Sequence, residues 1–386
     1  MFRRAAMLAG VLRVRSARSA EDSIAAQNQQ SKNLQKECCT NKLSADATGT
    51  TGGIIQVQNA GGTIANTADK LGTLTMDVAK TQTTGAMTTG DQVGILNLSN
   101  TSATGAVTMA SLVLNGNTDI ANLSGTKDLT ITSVTTNSAT VAATGLSGKL
   151  TITTIAGNDS VIVGGTGSDS ITATTATLTG LVVNGGDGND MITAVALTAA
   201  GAILAGGNGN DTITGGGAAD TITGGAGNDL ITGGVGLDVM TGGEGSDTFV
   251  FANDATGQPN ATTFDTVNDW GTGDKIDFTS AFLLNATSSA AGSGTAAISA
   301  TGLATFHSAD DTLLKKITAV EAAVAATGGG ALAGEAAVFV NGSDTYLFIS
   351  DATGGLSATD VLVKLVGVTA ATGITLDGSG DITAIA

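Results

Sequence analysis

Proline is nearly missing from this chain: one in 386 residues, beside one histidine, one tryptophan, one tyrosine and two cysteines. Each scarcity closes off a class of protein. Aromatic residues make up 3% of the chain, so a globule packed around large rings is excluded and a thin core of small and β-branched residues is expected. Cys38 and Cys39 are adjacent; they make no disulfide framework, and no second pair exists for a zinc site. His307 is the single histidine and no GxSxG occurs, so HExxH is impossible and a Ser/His/Asp triad would lack a nucleophile elbow. No lysine follows the glycines in the manner of a phosphate loop. No catalytic residue is assigned, and the expectation is a non-enzyme. No apolar run is long enough to span a membrane.

Basic residues are scarce as well, and unevenly placed. Residues 1–45 hold eight of the sixteen Lys/Arg and three of the thirty-three acids, and no Arg follows Arg18. The remainder carries eight bases against thirty acids, a net of −22. Such a surface excludes nucleic acid as a partner and favours divalent cations. Residues 1–45 do not match the rest and read as a disordered, frayed or non-native start. A short secretory signal interrupted by Arg13 and Arg15, or an Arg-rich presequence, are the alternatives.

What the chain has in abundance is glycine, 56 residues, and between Gly164 and Val250 it is patterned. GGTGSDSIT starts at Gly164 and GGDGNDMIT at Gly185. GGNGNDTIT, GGGAADTIT, GGAGNDLIT, GGVGLDVMT and GGEGSDTFV then run unbroken from Gly206 to Val250. The glycines allow tight turns that aim carbonyl oxygens inward. The sixth position is always Asp, a hard anionic oxygen donor. Carbonyl and carboxylate oxygens are the ligands Ca²⁺ prefers, so Ca²⁺ is the expected cofactor. The eighth position is apolar: Ile171, Ile192, Ile213, Ile222, Ile231, Met240 and Phe249. It marks a short strand with one inward side chain.

The expected metal residues are the first, third and sixth positions of the intact loops. They are Gly164, Thr166 and Asp169; Gly185, Asp187 and Asp190; Gly206, Asn208 and Asp211; Gly224, Ala226 and Asp229; Gly242, Glu244 and Asp247. The degraded loops contribute Gly215 with Asp220 and Gly233 with Asp238. The side chains of Asp187 and Glu244 either add charge near the metal or face solvent. Two acid-free insertions of twelve residues, Ala173 to Asn184 and Ala194 to Ala205, break the period of nine. If each replaces one half-coil, the loops at Gly164, Gly185, Gly206, Gly224 and Gly242 stack in one column. The loops at Gly215 and Gly233, where Ala218 and Leu237 break the motif, fall on the opposite side. Calcium is then expected mainly on one side.

Residues 46–153 show short strands between Gly, Asn, Ser and Thr turns. Leu74, Ile95, Leu112, Leu129 and Leu150 serve as equivalent points on successive coils of a parallel β-solenoid, with an antiparallel sandwich as the runner-up. Residues 154–250 form the calcium-binding β-roll. Residues 251–280, containing DTVNDWGTGDKIDF, read as a cap on the open end. In residues 281–386 a helix is expected over Ser308 to Thr327, N-capped by Ser308, with Leu313, Leu314, Ile317, Val320 and Val324 on its apolar face. Three strands follow, and Tyr346 and Phe348 belong to a small core. The fold class is thus all-β: a parallel β-solenoid or β-roll with metal-binding turns, then a small C-terminal α+β or β-rich domain.

From about Thr154 onward the chain resembles RTX proteins exported by type I secretion. The repeats followed by DTVNDWGTGDKIDF are similar to the C-terminal domain of serralysin-type proteases, with Trp270 and Phe278 standing where Phe and Leu are usual. The Thr/Ala/Gly-rich solenoid and the tail with GSDTYLFISD and DVLVKLVGV resemble bacterial RTX surface-layer proteins. The resemblance implies an extracellular or cell-surface location, export as an unfolded chain directed by residues 281–386, and the type I secretion machinery as a partner. It also implies self-association or attachment to a cell-surface glycan. A calcium-binding structural protein of a surface layer or matrix is the expected function. The alternative is the carrier part of a secreted hydrolase, toxin or adhesin.

Overall fold

In a computed structural model the described residues are 95–100, 105–114, 120–136, 138–251, 264–278, 294, 296–300, 302–326, 335–350, 360–369, 371, 373–377 and 381–385, with the backbone of short strands before residue 95. Cys38, Cys39 and most of residues 1–45 lie outside them. The chain divides into two units, Met1–Gly188 and Asn189–Ala386.

In the first unit short strands alternate between two parallel sheets, and two coils put a pair of short strands into one of them, Leu129–Ile131 with Val134–Thr135 and Leu150–Ile152 with Ile155–Ala156. One sheet stacks Ile95–Asn100, Ile120–Gly125, Thr140–Leu146, Val161–Val163 and Val182–Asp187. The other stacks Val107–Val113, Leu129–Ile131, Leu150–Ile152 and Ser170–Thr172. Alternation along each strand sends every second side chain inward. Stacking coils then line up identical rows, such as Val141, Ile162 and Val183, all 2% exposed or less. Each buried Ile or Val stabilises the coil by roughly 1.5–3 kcal/mol, which is how a core without aromatics holds.

The equivalent points expected from spacing need correction. Leu129 does stack on Leu150. Leu112, however, lies opposite Val134, not Leu129, and Leu74 lies opposite Leu96, not Ile95. Ile95 and Leu112 belong to different sheets. Both sheets use the same Thr/Leu/Val alternation, so spacing alone does not tell one face of a coil from the other.

The second unit continues the plan with a tighter repeat. Ile203, Thr221 and Val239 are in register at intervals of eighteen residues, and so are Thr212, Leu230 and Thr248. Inside run Leu204, Ile222, Met240 and Val267 from one sheet and Ile192, Ile213, Ile231, Phe249 and Ile276 from the other, none above 1% exposed. Asp265–Val267 and Lys275–Phe278 make DTVNDWGTGDKIDF a further full coil. The strands beyond it come from the C-terminal region. Val361–Leu365 adds parallel to Asp265–Val267, and Ile382–Ile385 adds antiparallel to Lys275–Phe278. Glu335–Asn341 and Asp344–Ser350 extend the first of these sheets as a hairpin.

One helix, Leu313–Ala326, packs on that hairpin. It buries Ile317, Val320 and Ala323 against Phe339, Tyr346 and Phe348. It starts five residues later than Ser308. Thr312 is the capping residue, its hydroxyl accepting the Lys315 N–H at 3.3 Å, while residues 307–310 close a turn in which the Asp310 N–H donates to the His307 carbonyl. Asp310 turns inward instead of capping the helix and accepts the Gly294 N–H at 3.1 Å. Leu314, assigned to the apolar face, is 46% exposed, since the buried arc runs through Ile317 and Val320 and Leu314 falls beside it. Val324 lies in the helix, but its side chain is outside the described residues. No helix among the described residues is long and apolar enough to cross a membrane.

Candidate metal centre

The glycine-rich loops are the turns that carry the chain from one sheet to the other. In the first unit the loops at Gly164 and Gly185 stack: the Asp187 N–H donates to the Gly165 carbonyl at 2.9 Å. In the second unit the loops at Gly206, Gly224 and Gly242 stack on one side, with Gly207, Gly225 and Gly243 in register. The loops at Gly215 and Gly233 stack on the other, the Gly215 N–H donating to the Thr232 carbonyl. The insertions occupy half-coils, as their length requires. Residues 173–181 lie over the Asn158 turn, and residues 194–202 lie over the loop at Gly215. Each plugs its turn with an apolar side chain, Leu178 in one and Leu197 in the other, both buried.

The aspartates form a ladder. The Asp190 N–H donates to Asp211 Oδ1, Asp211 to Asp229, and Asp229 to Asp247, at 2.7, 2.7 and 2.9 Å. A second ladder runs opposite, from Ala202 to Asp220 to Asp238. One carboxylate oxygen of Asp211, Asp229, Asp247, Asp220 and Asp238 is therefore committed to the neighbouring coil. The other oxygen separates the residues into two kinds. Asp169 Oδ2 accepts the Gly165 N–H at 2.7 Å and Asp220 Oδ2 the Gly216 N–H at 2.6 Å, so each oxygen of these two carboxylates already takes a backbone N–H. The Oδ2 atoms of Asp211 and Asp229 are buried without a hydrogen-bond partner. A buried anionic oxygen left so is costly unless a cation meets it.

The same oxygens crowd the first glycine of each loop. A Cβ on Gly206 would collide with Asp211 Oδ2 and the Gly224 carbonyl oxygen, and one on Gly224 with Asp229 Oδ2 and the Gly242 carbonyl oxygen. Carboxylate and carbonyl oxygens from successive coils thus converge where only glycine leaves room. Among the described residues no three Asp, Glu, His or Cys side chains gather as a metal cluster. Any ion here has to be completed by backbone carbonyls, a donor set that suits a hard cation.

Burial also raises the carboxyl pKa values. Asp229 and Asp247 are each pushed up to about 6, first by desolvation, against the lowering effect of the Asp211 and Asp229 N–H donors, with repulsion from neighbouring aspartates adding to the rise. Asp169, Asp211 and Asp220 are raised by burial too, opposed by the N–H groups they accept from. Without a cation the array favours protons; a divalent ion is the natural replacement.

A family model of the RTX calcium-binding nonapeptide repeat, in four copies, matches residues 200–229 and 214–249. This stretch is an RTX calcium-binding repeat array. RTX repeats bind Ca²⁺, and the unpaired Oδ2 atoms of Asp211 and Asp229 with the facing glycine carbonyls fit that ion. No curated protein matches the chain.

The third-position side chains of the RTX loops point away from this donor set. Thr166, Asp187, Asn208 and Glu244 are exposed. The Ala226 and Glu244 carbonyls accept the Gly209 and Gly227 N–H groups at 2.7 Å, so this position serves through its backbone. Several participants were not assigned from sequence. The fifth-position Asn residues make a second ladder running the other way, Asn210 N–H to Asn189 Oδ1 and Asn228 N–H to Asn210 Oδ1. Asp274 extends one Asp ladder and Asp265 the other, accepting from Asp247 and Asp238. Asp269 accepts from Gly242 and Gly243 with its two oxygens. The visible signal was Gly271-Thr272-Gly273-Asp274, a repeat with its glycines shifted by one place.

Proposed function

We propose that this protein is an extracellular calcium-binding structural component, of a surface layer or matrix, that is exported unfolded by type I secretion and folds and assembles on calcium. The observation that supports folding on calcium is the pair of buried Oδ2 atoms on Asp211 and Asp229, unpaired inside a chain of net charge −17; the extracellular role and the export route rest on the resemblance to RTX proteins. Within this reading Asp211, Asp229 and Asp247, with the carbonyls of Gly224 and Gly242, would hold the ions. Bound Ca²⁺ would supply charge neutralisation. The chain's own residues do the rest: glycines admit the oxygens, the Asp and Asn ladders bond each turn to the next, and the inward Ile rows close the core. Calcium-free cytoplasm would leave the acidic coils self-repelling and suited to passage through a channel, whereas millimolar extracellular calcium would fold them.

RTX β-rolls are typically non-catalytic, and RTX proteins are typically secreted. His307 sits in the turn before the helix, its Nδ1 accepting the Ala309 N–H at 3.1 Å, which is a turn-stabilising role. Circular dichroism tests the reading. Chelator should give a largely disordered repeat region and ~1 mM Ca²⁺ a β spectrum; equal β content in both would overturn it. Fusion of Ala281–Ala386 to a slow-folding reporter should permit export through a type I channel, and retention of that fusion would refute the secretion route.

A further inference from the structure

We propose that the side of the second unit opposite the intact RTX loops is a homodimer contact, where two copies of this chain bury their uncharged edges against each other. This deepens the structural-assembly reading above and rests on it. On this side the turns stack in the order 194–202, 215–220, 233–238. The Val235 N–H donates to the Gly216 carbonyl at 2.9 Å, and the Gly217 N–H donates to Leu197 in the turn above. Ile203, Thr221 and Val239 stand in register beside them. Four aliphatic side chains face outward here: Val195 is 59% exposed, Ile203 55%, Val235 43% and Leu237 37%. The corresponding outward positions of the intact loops are Asn208, Ala226 and Glu244 at the third place and Asn210, Asn228 and Ser246 at the fifth; among the described residues exposed aliphatics occur on that side only at the strand starts, Met191 and Leu230.

Charge decides what such an edge meets. Across 194–205, 214–223 and 232–241 the only ionisable residues are Asp220 and Asp238, both buried at 2% exposure or less. The chain as a whole carries −17. A basic partner would be drawn to the acidic side, and two copies of this chain repel each other wherever acids face outward. Along these three described turns neither copy presents a charge, and each offers aliphatic surface to bury, so a two-fold contact between like edges is the low-repulsion arrangement. Among the described residues the edge is three turns tall at about 4.8 Å per coil, which makes a small contact and a weak dimer.

Sedimentation velocity of the full chain in millimolar calcium tests this, with circular dichroism on the same samples. The expected result is a monomer–dimer equilibrium with a Kd on the order of 100 µM, tightening when sodium chloride screens the acidic repulsion. Val195→Glu with Val235→Glu should weaken association at least ~10-fold and leave the calcium-induced spectrum unchanged. Leu237→Ser is the milder variant, expected to weaken it in the same direction should the double variant fold poorly. Association that is unchanged in both variants overturns the contact. So does association that salt weakens, since that marks calcium bridges between acidic faces. A wild-type chain that folds on calcium and stays monomeric overturns the contact alone, whereas one that does not fold on calcium overturns the reading beneath it.

Discussion

The two sides of the β-roll in the second unit solve the same problem with different chemistry. Each has to reverse the chain between sheets and bond that turn to its neighbours. On the side of Gly206, Gly224 and Gly242 the turn is made of glycine, and its interior is filled by carboxylate and carbonyl oxygens. On the side of 194–202 the first turn is filled by Leu197, buried completely, and the Asp beneath it, Asp220, has both oxygens satisfied by backbone N–H groups. The opposite side returns to oxygen chemistry one coil later, where a Cβ on Gly215 would meet Asp220 Oδ2 and the Gly233 carbonyl oxygen. Both keep the same strand register, because the sheets and not the turns set the spacing of the coils.

The sharpest way to break this comparison is Gly206→Ala. The new methyl meets Asp211 Oδ2 and the Gly224 carbonyl, and nothing there is a flexible side-chain end that moves freely except by giving up the donor set. A loss of about 3 kcal/mol or more is expected, seen as failure of the roll to reach its β spectrum at calcium levels that fold the wild type. A change under about 0.5 kcal/mol would show that oxygens do not converge on that glycine.

Leu197→Ala probes the opposite side and should cost about 2–4 kcal/mol in a denaturant titration, through the cavity it leaves. The dependence of stability on calcium concentration should be unaltered, because no donor oxygen is touched. A smaller slope against the logarithm of calcium would mean that the apolar turn also contributes to metal binding.

Asp211→Ala and Asp220→Ala separate the two kinds of carboxylate. Removing Asp211 should reduce the slope of stability against the logarithm of calcium, which counts bound ions, and cost about 1.4 kcal/mol at ten times a site's Kd. Removing Asp220 leaves the Ala202 and Gly216 N–H groups unpaired and should cost about 1–3 kcal/mol with the slope intact. Equal slopes for the two variants would erase the distinction between the columns.

The smallest effect concerns pH. In chelator the carboxyls of Asp229 and Asp247 titrate near 6 in the folded roll, against an ordinary value of 3.8. The folded state then binds more protons between these values. That contribution to stability is fully present below the ordinary value and lost as pH rises through about 6. Metal-free chains should therefore gain order on acidification from pH 7 towards 4, while the calcium slope shrinks as protons occupy the same oxygens. Steady loss of metal-free order over that window would contradict the raised values.

The repeat period, the identity of the ion and the inward residues were legible from the primary structure, because a nine-residue rule repeated in succession leaves little freedom. Ile213, Ile222 and Ile231 had to face inward once Gly and Asp marked the turns on either side, and all three are fully buried. The skipped half-coils were legible too, since an insertion of twelve residues in place of nine preserves the strand alternation. Three matters were decided only in three dimensions. Register in the Thr-rich coils came from pairing, as Leu112 opposite Val134 shows, since the two sheets share one alternation pattern. The start of the helix at Leu313 followed from Asp310 being drawn inward to Gly294, a partner sixteen residues away. The difference between Asp220 and Asp211, identical in motif, rests on whether a nearby N–H reaches the second oxygen. Local chemistry sets the period and the donor types because neighbours along the chain enforce them; which oxygen is left for a metal depends on the coils stacked above and below.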